Sequence, residues 1–290
     1  MWIYFTLLAA FMQAWRNAFQ SKLSQDVNVI GVTLARFLWA GPMVAIYLFG
    51  LYQWQDAPLP SFSNLTVSYI IGASAMQIVA TALMVKLFQR NNFAVGAGLA
   101  KSEALVAAII GTFFFGTSLS LYGWIGVAIG GVAIFLMSAK DGLKELSWKT
   151  LSIGITSGTC FALTSLWVRE ASLTLDLPVM HRAAWVLFSV IAIQTFVLLT
   201  YLVLTDRNTL QALKRRSKLT LLISLASCLG SIGWFTAMSF QAVPYVKTLG
   251  QIEVFFMMIV SYVWLKQKVK IKDGIGLLLI ALAATMVMWA

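Results

Sequence analysis

Acidic side chains are scarce in this chain: Asp and Glu number 10 against 21 Lys and Arg, and all charged residues together make up 11% of it. Ordinary soluble domains carry about 25% charged residues, so water is not the main solvent this chain is built for. A single histidine leaves no dedicated imidazole metal site, and it reads as a capping or loop residue, His181. The two cysteines, Cys160 and Cys228, fall inside apolar runs with no C-x-x-C nearby and read as free buried thiols. No Walker-type G-x-x-x-x-G-K-[ST] occurs, so ATP is not expected to be used by this chain, and no cofactor or metal is expected. The net charge of +11 is scattered through short breaks and forms no basic domain, which argues against nucleic acid. The ten-residue alternation of a membrane barrel is absent. The first residues, MWIYFTLLAAFMQAW, lack the basic start and small-residue cleavage site of a signal peptide and read as a first membrane span.

What fills the chain is apolar sequence: 60% hydrophobic residues and a mean hydropathy of +0.85. Runs such as LLISLASCLGSIGWFTAMSF (221–240) recur with short polar breaks. In a bilayer, backbone polar groups must pair within their own segment, so each run of about 20 residues reads as a spanning helix. Spans are expected at 2–21, 28–50, 66–88, 93–115, 121–139, 150–168, 180–204, 218–240, 245–265 and 272–289. The longest breaks, 51–64 and 205–218, leave no room for a soluble domain.

A shift of 150 positions lays AVGAGLAKSEALVAA (94–108) on PYVKTLGQIEVFFMM (244–258), aligning Leu99 with Leu249 and Glu103 with Glu253, and Gly126 with Gly276. The R-x-x-W of Arg36 and Trp39 also returns at Arg182 and Trp185. A repeat of five spans is odd, so the second copy must enter the membrane inverted. The expected fold is therefore all-α and integral to the membrane: ten transmembrane helices as two inverted five-helix repeats, 1–140 and 149–290, around a central cavity. Basic residues concentrate in alternate loops, for example Lys140, Lys144, Lys149, Lys214, Arg215, Arg216 and Lys266, while 51–65 and 116–120 have none. Placing basic loops in the cytoplasm puts both termini on the other side. The expected location is a bacterial inner membrane.

The span AVGAGLAKSEALVAAIIGTFFFGTSLSLYGWIGVAIGG (94–131), and more loosely 244–282, resembles the fourth and fifth spans of the EamA-like branch of the drug/metabolite transporter superfamily. Thr117 and Ser118 stand where that family has Glu-Arg. The resemblance implies a ten-helix carrier moving metabolites, amino acids or drug-like compounds, often outward.

An ionisable group inside a span costs about 2.5–3.5 kcal/mol on insertion scales, so it faces protein or water and marks a pathway. Glu103 and Glu253 are the acids at mid-span positions, and Glu103 shares a small-residue face with Gly96, Ala100, Ala107 and Gly111. They can bind a substrate amine or exchange a proton; the structural alternative is an ion pair with Lys101, Arg36 or Lys86. The embedded bases Arg16, Arg36, Lys86 and Lys101 outnumber these acids and favour an anionic or zwitterionic solute, with Arg36 the first candidate. The alternative for Arg16 and Lys86 is snorkelling to the headgroups. Trp39 and Trp234 are aromatic-wall candidates, with an interface belt as the alternative, and Gln77 and Gln251 complete the candidate set. Gly126 and Gly130 form a GxxxG face that packs helices within one subunit or between two copies in a homodimer.

The leading functional expectation is gradient-driven export of small organic solutes by alternating access, with a coupling proton or counter-solute and the lipid bilayer as surroundings. The alternative is uptake or exchange of an anionic metabolite. A membrane scaffold and a lipid-acting membrane enzyme are the readings from other classes.

Overall fold

The computed structural model describes residues 1–90, 102–138, 148–264 and 279, 282, 283, 285 and 286. Among these the secondary structure is helical throughout, with no strand. In order the helices are α1 (Trp2–Leu23), α2 (Val29–Ala35), α3 (Ala40–Trp54), α4 (Asn64–Arg90), α5 (Glu103–Phe114), α6 (Leu121–Ser138), α7 (Trp148–Leu173), α8 (Val179–Thr205), α9 (Arg207–Arg215), α10 (Ser217–Phe240) and α11 (Val243–Leu249). A 3-10 turn (Gly250–Ile252) then leads into α12 (Glu253–Val263). These cover the first nine expected segments, the fourth from Glu103 onward. The expected tenth segment lies almost wholly outside the described residues.

Polarity is distributed inside out. Large apolar side chains such as Ile46, Phe49, Phe196 and Leu204 are exposed, whereas Arg16, Asn17, Gln20, Arg36, Gln77, Glu103 and Glu253 are buried. That pattern suits helices whose outer faces meet lipid and whose polar groups must be satisfied within. Among the described residues, six stretches are long and apolar enough to cross a membrane: Val29–Trp54, Asn64–Gln89, Trp148–Leu173, Val179–Thr205, Ser217–Phe240 and Val243–Val260. The helix α1 is 22 residues long but is not one of them, because its inward face carries Gln13, Arg16, Asn17 and Gln20 at helical spacing.

The two halves of the sequence interlock. The most extensive interfaces are α1 with α10 and α4 with α7, each joining the first half to the second. Small residues permit the close approach: a Cβ at Gly233 on α10 would lie 2.6 Å from the Phe5 carbonyl oxygen of α1, and Gly72 on α4 makes room for the Trp167 ring of α7.

Three local departures from the sequence expectation have identifiable causes. The segment 28–50 is not one helix; it is interrupted at Arg36–Trp39, where Ser224 Oγ donates to the Ala35 carbonyl at 2.7 Å and Thr195 Oγ1 to that of Phe37 at 3.3 Å. The Ser224 hydroxyl thus replaces a missing intrahelical bond, and that of Thr195 adds to the Ala40 N–H already on the Phe37 carbonyl, as an interruption at membrane depth requires. The break at 205–218 contains the amphipathic helix α9, started by Asp206, whose side chain accepts from the Thr209 N–H at 3.2 Å. His181 is neither cap nor loop: it lies in the first turn of α8, 1% exposed, edge-on to the Tyr52 ring at 4.8 Å.

Candidate functional site

The inward faces of α1, α5, α7, α10 and α11 meet around a central cavity of about 40 Å³, lined by Gln13, Arg16, Arg36, Glu103, Trp234 and Lys247 among others. A water needs at least about 10–15 Å³ of such space, whereas drug-sized ligands need several hundred, so this cavity is water-sized and must widen to admit a solute.

Two carboxylates organise the site, and they are held differently. Glu253, the first residue of α12, accepts from Gln13 Nε2 at 2.5 Å and from Asn17 Nδ2 at 2.8 Å. Asn17 Oδ1 in turn accepts from Arg16 Nη2 at 2.9 Å and Nε at 3.3 Å, so a positive charge backs the amide that faces the acid. Glu103, the first residue of α5, accepts from Ser165 Oγ at 2.9 Å and pairs with Lys247 Nζ at 2.7 Å. Trp234 connects the two clusters. Its Nε1–H donates to Gln13 Oε1 at 2.8 Å, and its ring lies 4.1 Å below the Lys247 ammonium. Gly250 makes this possible, since a side chain there would overlap the far edge of the indole.

Arg36 lines the same cavity, but its side-chain hydrogen bond goes to a hydroxyl and not to either acid. Its Nη1 donates to Thr81 Oγ1 at 2.8 Å and the guanidinium lies 5.3 Å from the Phe37 ring centroid, while its buried Nε has no hydrogen-bond partner. Gln77 also lines the cavity and accepts from Gln194 Nε2 at 2.7 Å. Gln251, 1% exposed, has neither amide atom paired; it packs on Gly130 and borders a second space of about 10 Å³ with Glu103 and Lys247.

Of the candidates named from sequence, Glu103, Arg16, Arg36, Gln77 and Trp234 line the cavity, and Glu253 is joined to it through Gln13 and Asn17. Arg16 is 2% exposed and does not snorkel, because Asn17 and the nearby acid satisfy it inside. Lys86 is half-buried on α4 and away from the cavity lining, and Trp39 is 49% exposed at the start of α3, on the outer surface. Lys101 lies outside the described residues. The described ion-pair partner of Glu103 is Lys247, in place of Arg36 or Lys86, because α11 packs directly on α5. Sequence reasoning missed Lys247, Gln13 and Asn17. The signal for the last two was present, since Gln13, Arg16, Asn17 and Gln20 repeat at helical spacing in a first span too polar for lipid on all sides.

One end of the molecule holds an open vestibule of about 670 Å³ between the start of α1, residues 115–118, the end of α7 and residues 241–245. The other end is tied. Arg216 pairs with Asp26 at 2.9 Å, Asn28 Nδ2 donates to Asp206 Oδ2 at 2.9 Å and to Thr209 Oγ1 at 2.6 Å, and Gln89 Nε2 donates to the Ser24 carbonyl at 3.0 Å.

Residues 1–139 match the sequence model of the EamA-like transporter family. Through this segment, a little under half of its length, the chain resembles that family, which lies within the drug/metabolite transporter superfamily. Its long apolar helices and this match together support an integral, multi-pass membrane protein. A solved protein crystal structure superposes on it with a TM-score of 0.71 at 14% identity, with 98% of each chain covered, which shows a shared fold. None of the curated proteins matches it by sequence.

Proposed function

We propose that this EamA-like chain is a secondary active transporter that moves small organic solutes outward through the central cavity by alternating access, driven by a gradient. The observation that carries the reading is the charged cluster of Arg16, Glu253, Glu103 and Lys247 around a cavity at the heart of a bundle with an apolar exterior. Burying charges is expensive, and a purely structural core would be better served by apolar packing.

Two inverted five-helix repeats supply the motion in this reading. Its support is the packing: exchanging each helix for its counterpart in the other half turns the α1–α10 interface into α7–α4, and these are the two most extensive interfaces. Glu103 and Glu253 likewise each open a helix, and each accepts hydrogen bonds from the first helix of the opposite half, α7 or α1. With basic loops cytoplasmic in a bacterial inner membrane, the vestibule faces outward and the tied end faces the cytoplasm.

The test is counterflow in proteoliposomes across a panel of amino-acid-like and drug-like solutes. Wild type accumulates at least one labelled solute, and Glu103→Gln lowers that flux by about tenfold or more, the factor corresponding to about 1.4 kcal/mol. Unaltered flux in a folded Glu103→Gln protein would reject the role of this carboxylate.

A second reading, exchange of an anionic metabolite, is favoured by the unpartnered Nε of the buried Arg36 beside the cavity. A guanidinium with a spare N–H takes a carboxylate or phosphate oxygen readily.

A further inference from the structure

We propose that Glu103, Ser165 and the face of Trp234 form a binding subsite for a primary organic ammonium group, occupied in this structure by the chain's own Lys247 and yielded to the head group of an incoming amine. The inference rests on the transporter reading for its use, but the binding itself does not.

The chemistry is that of ammonium recognition. The Lys247 Nζ lies 2.7 Å from one carboxylate oxygen and 4.1 Å from an indole centroid, and Ser165 Oγ donates to the same carboxylate oxygen at 2.9 Å, fixing where it points. A carboxylate supplies the charge and an aromatic face supplies the cation–π wall. Lys247 is suited to leave. It sits on the seven-residue α11, between Pro244 and the 3-10 turn, and its compact ammonium rides on a flexible four-carbon stem. It also lines the central cavity, so a solute there meets this pair directly.

An independent observation points to a further ligand atom. Gln251 is buried with both amide atoms unpaired, on the small space that Glu103 and Lys247 share. Its amide end now packs on Gly130, and a turn of the side chain toward that space would offer an ammonium N–H an acceptor. Unpaired buried amides are costly, and this one is kept in place by the missing side chain at Gly130.

Replacing one ammonium by another keeps Glu103 paired in both states, and the displaced Lys247 ammonium turns into the central cavity that it already lines. The loaded and empty carrier can then change shape without burying a lone carboxylate, which would cost several kcal/mol.

The experiment removes the resident amine and supplies a free one. Purified Lys247→Ala in detergent is titrated with millimolar n-butylammonium chloride, and its melting temperature rises saturably by about 2–4 °C, as for a ligand contributing about 1 kcal/mol to a domain of this class. Potassium chloride, n-butanol and tetramethylammonium, which lacks an N–H, give no such rise, and adding Glu103→Gln abolishes it. No rise above the potassium chloride control, or an equal rise in the double variant, overturns the proposal. Should Lys247→Ala fail to fold, Lys247→Met retains the stem, and methylammonium then slows modification of Glu103 by a hydrophobic carbodiimide; an unchanged rate overturns it equally. Counterflow of solutes without these effects would reject the subsite alone, whereas amine binding without counterflow of any solute would reject transport and keep the subsite.

Discussion

Trp234 shows how one residue can serve two charges: its N–H fixes Gln13, which holds Glu253, while its face steadies the Lys247 ammonium that holds Glu103. Any displacement of this ring is felt by both acids. Arg36 has no such coupling, and its single side-chain bond to Thr81 leaves Nε unused. If the cavity takes anionic solutes, Arg36→Ala removes a charge-assisted bond worth about 1.5–3 kcal/mol, so the Kd for n-butyrate, measured by thermal shift on purified protein, rises by at least about tenfold. An unchanged Kd would leave the anion reading without support. The contrast between the two sites also shows what sequence reading reaches at this scale. Glu103, Arg36 and Arg16 stand out as rare charges in apolar runs, but the pairing of Glu103 with Lys247 joins positions far apart along the chain and depends on α11 packing against α5. Lys247, close to a loop, carried no local mark of that partnership.

The helices themselves were legible wherever lipid dictates them, because a long apolar run has few alternatives in a bilayer. The interruption at Arg36–Trp39 was not, since it is supported by the hydroxyls of Ser224 and Thr195 on other helices and hydropathy contains no trace of that. The helix α9 was missed for the opposite reason: nine residues rich in charge read as a connector until the cap is considered. Asp206 starts it, and its carboxylate is held below the usual range first by the Thr209 hydroxyl, next by the Thr209 N–H, with Asn28 adding to this against a small desolvation cost. A lowered folded-state pKa means stability that is present above the unfolded value, about 3.9, and lost as pH falls through the folded one. Acidification below about pH 4 is therefore expected to lower the melting temperature of the wild type more than that of Asp206→Asn, in which this group no longer titrates. Parallel pH profiles for the two proteins would show that the cap contributes nothing to acid sensitivity.

Across the whole molecule, the vestibule and the ties lie at opposite ends, so access to the cavity is asymmetric. An exposed pair such as Asp26–Arg216 contributes about 0–1 kcal/mol, and the neighbouring bonds of Asn28 and Gln89 are similarly modest, so this end is held closed by contacts weak enough to open. That balance suits a carrier whose two halves rock about a shared cavity, and it can be tested by making the closure permanent. With Asp26→Cys and Arg216→Cys combined, a short bifunctional thiosulfonate should join α10 to the α1–α2 connection, while Cys160 and Cys228 are buried and add little background. Flux in proteoliposomes is expected to fall to the level of empty vesicles on cross-linking and to return on reduction. Each single cysteine variant, treated identically, should keep its flux, which separates a locked end from chemical damage. Full flux with the cross-link complete would mean that transport does not require Asp26 and Arg216 to separate, and would reject this end as a gate.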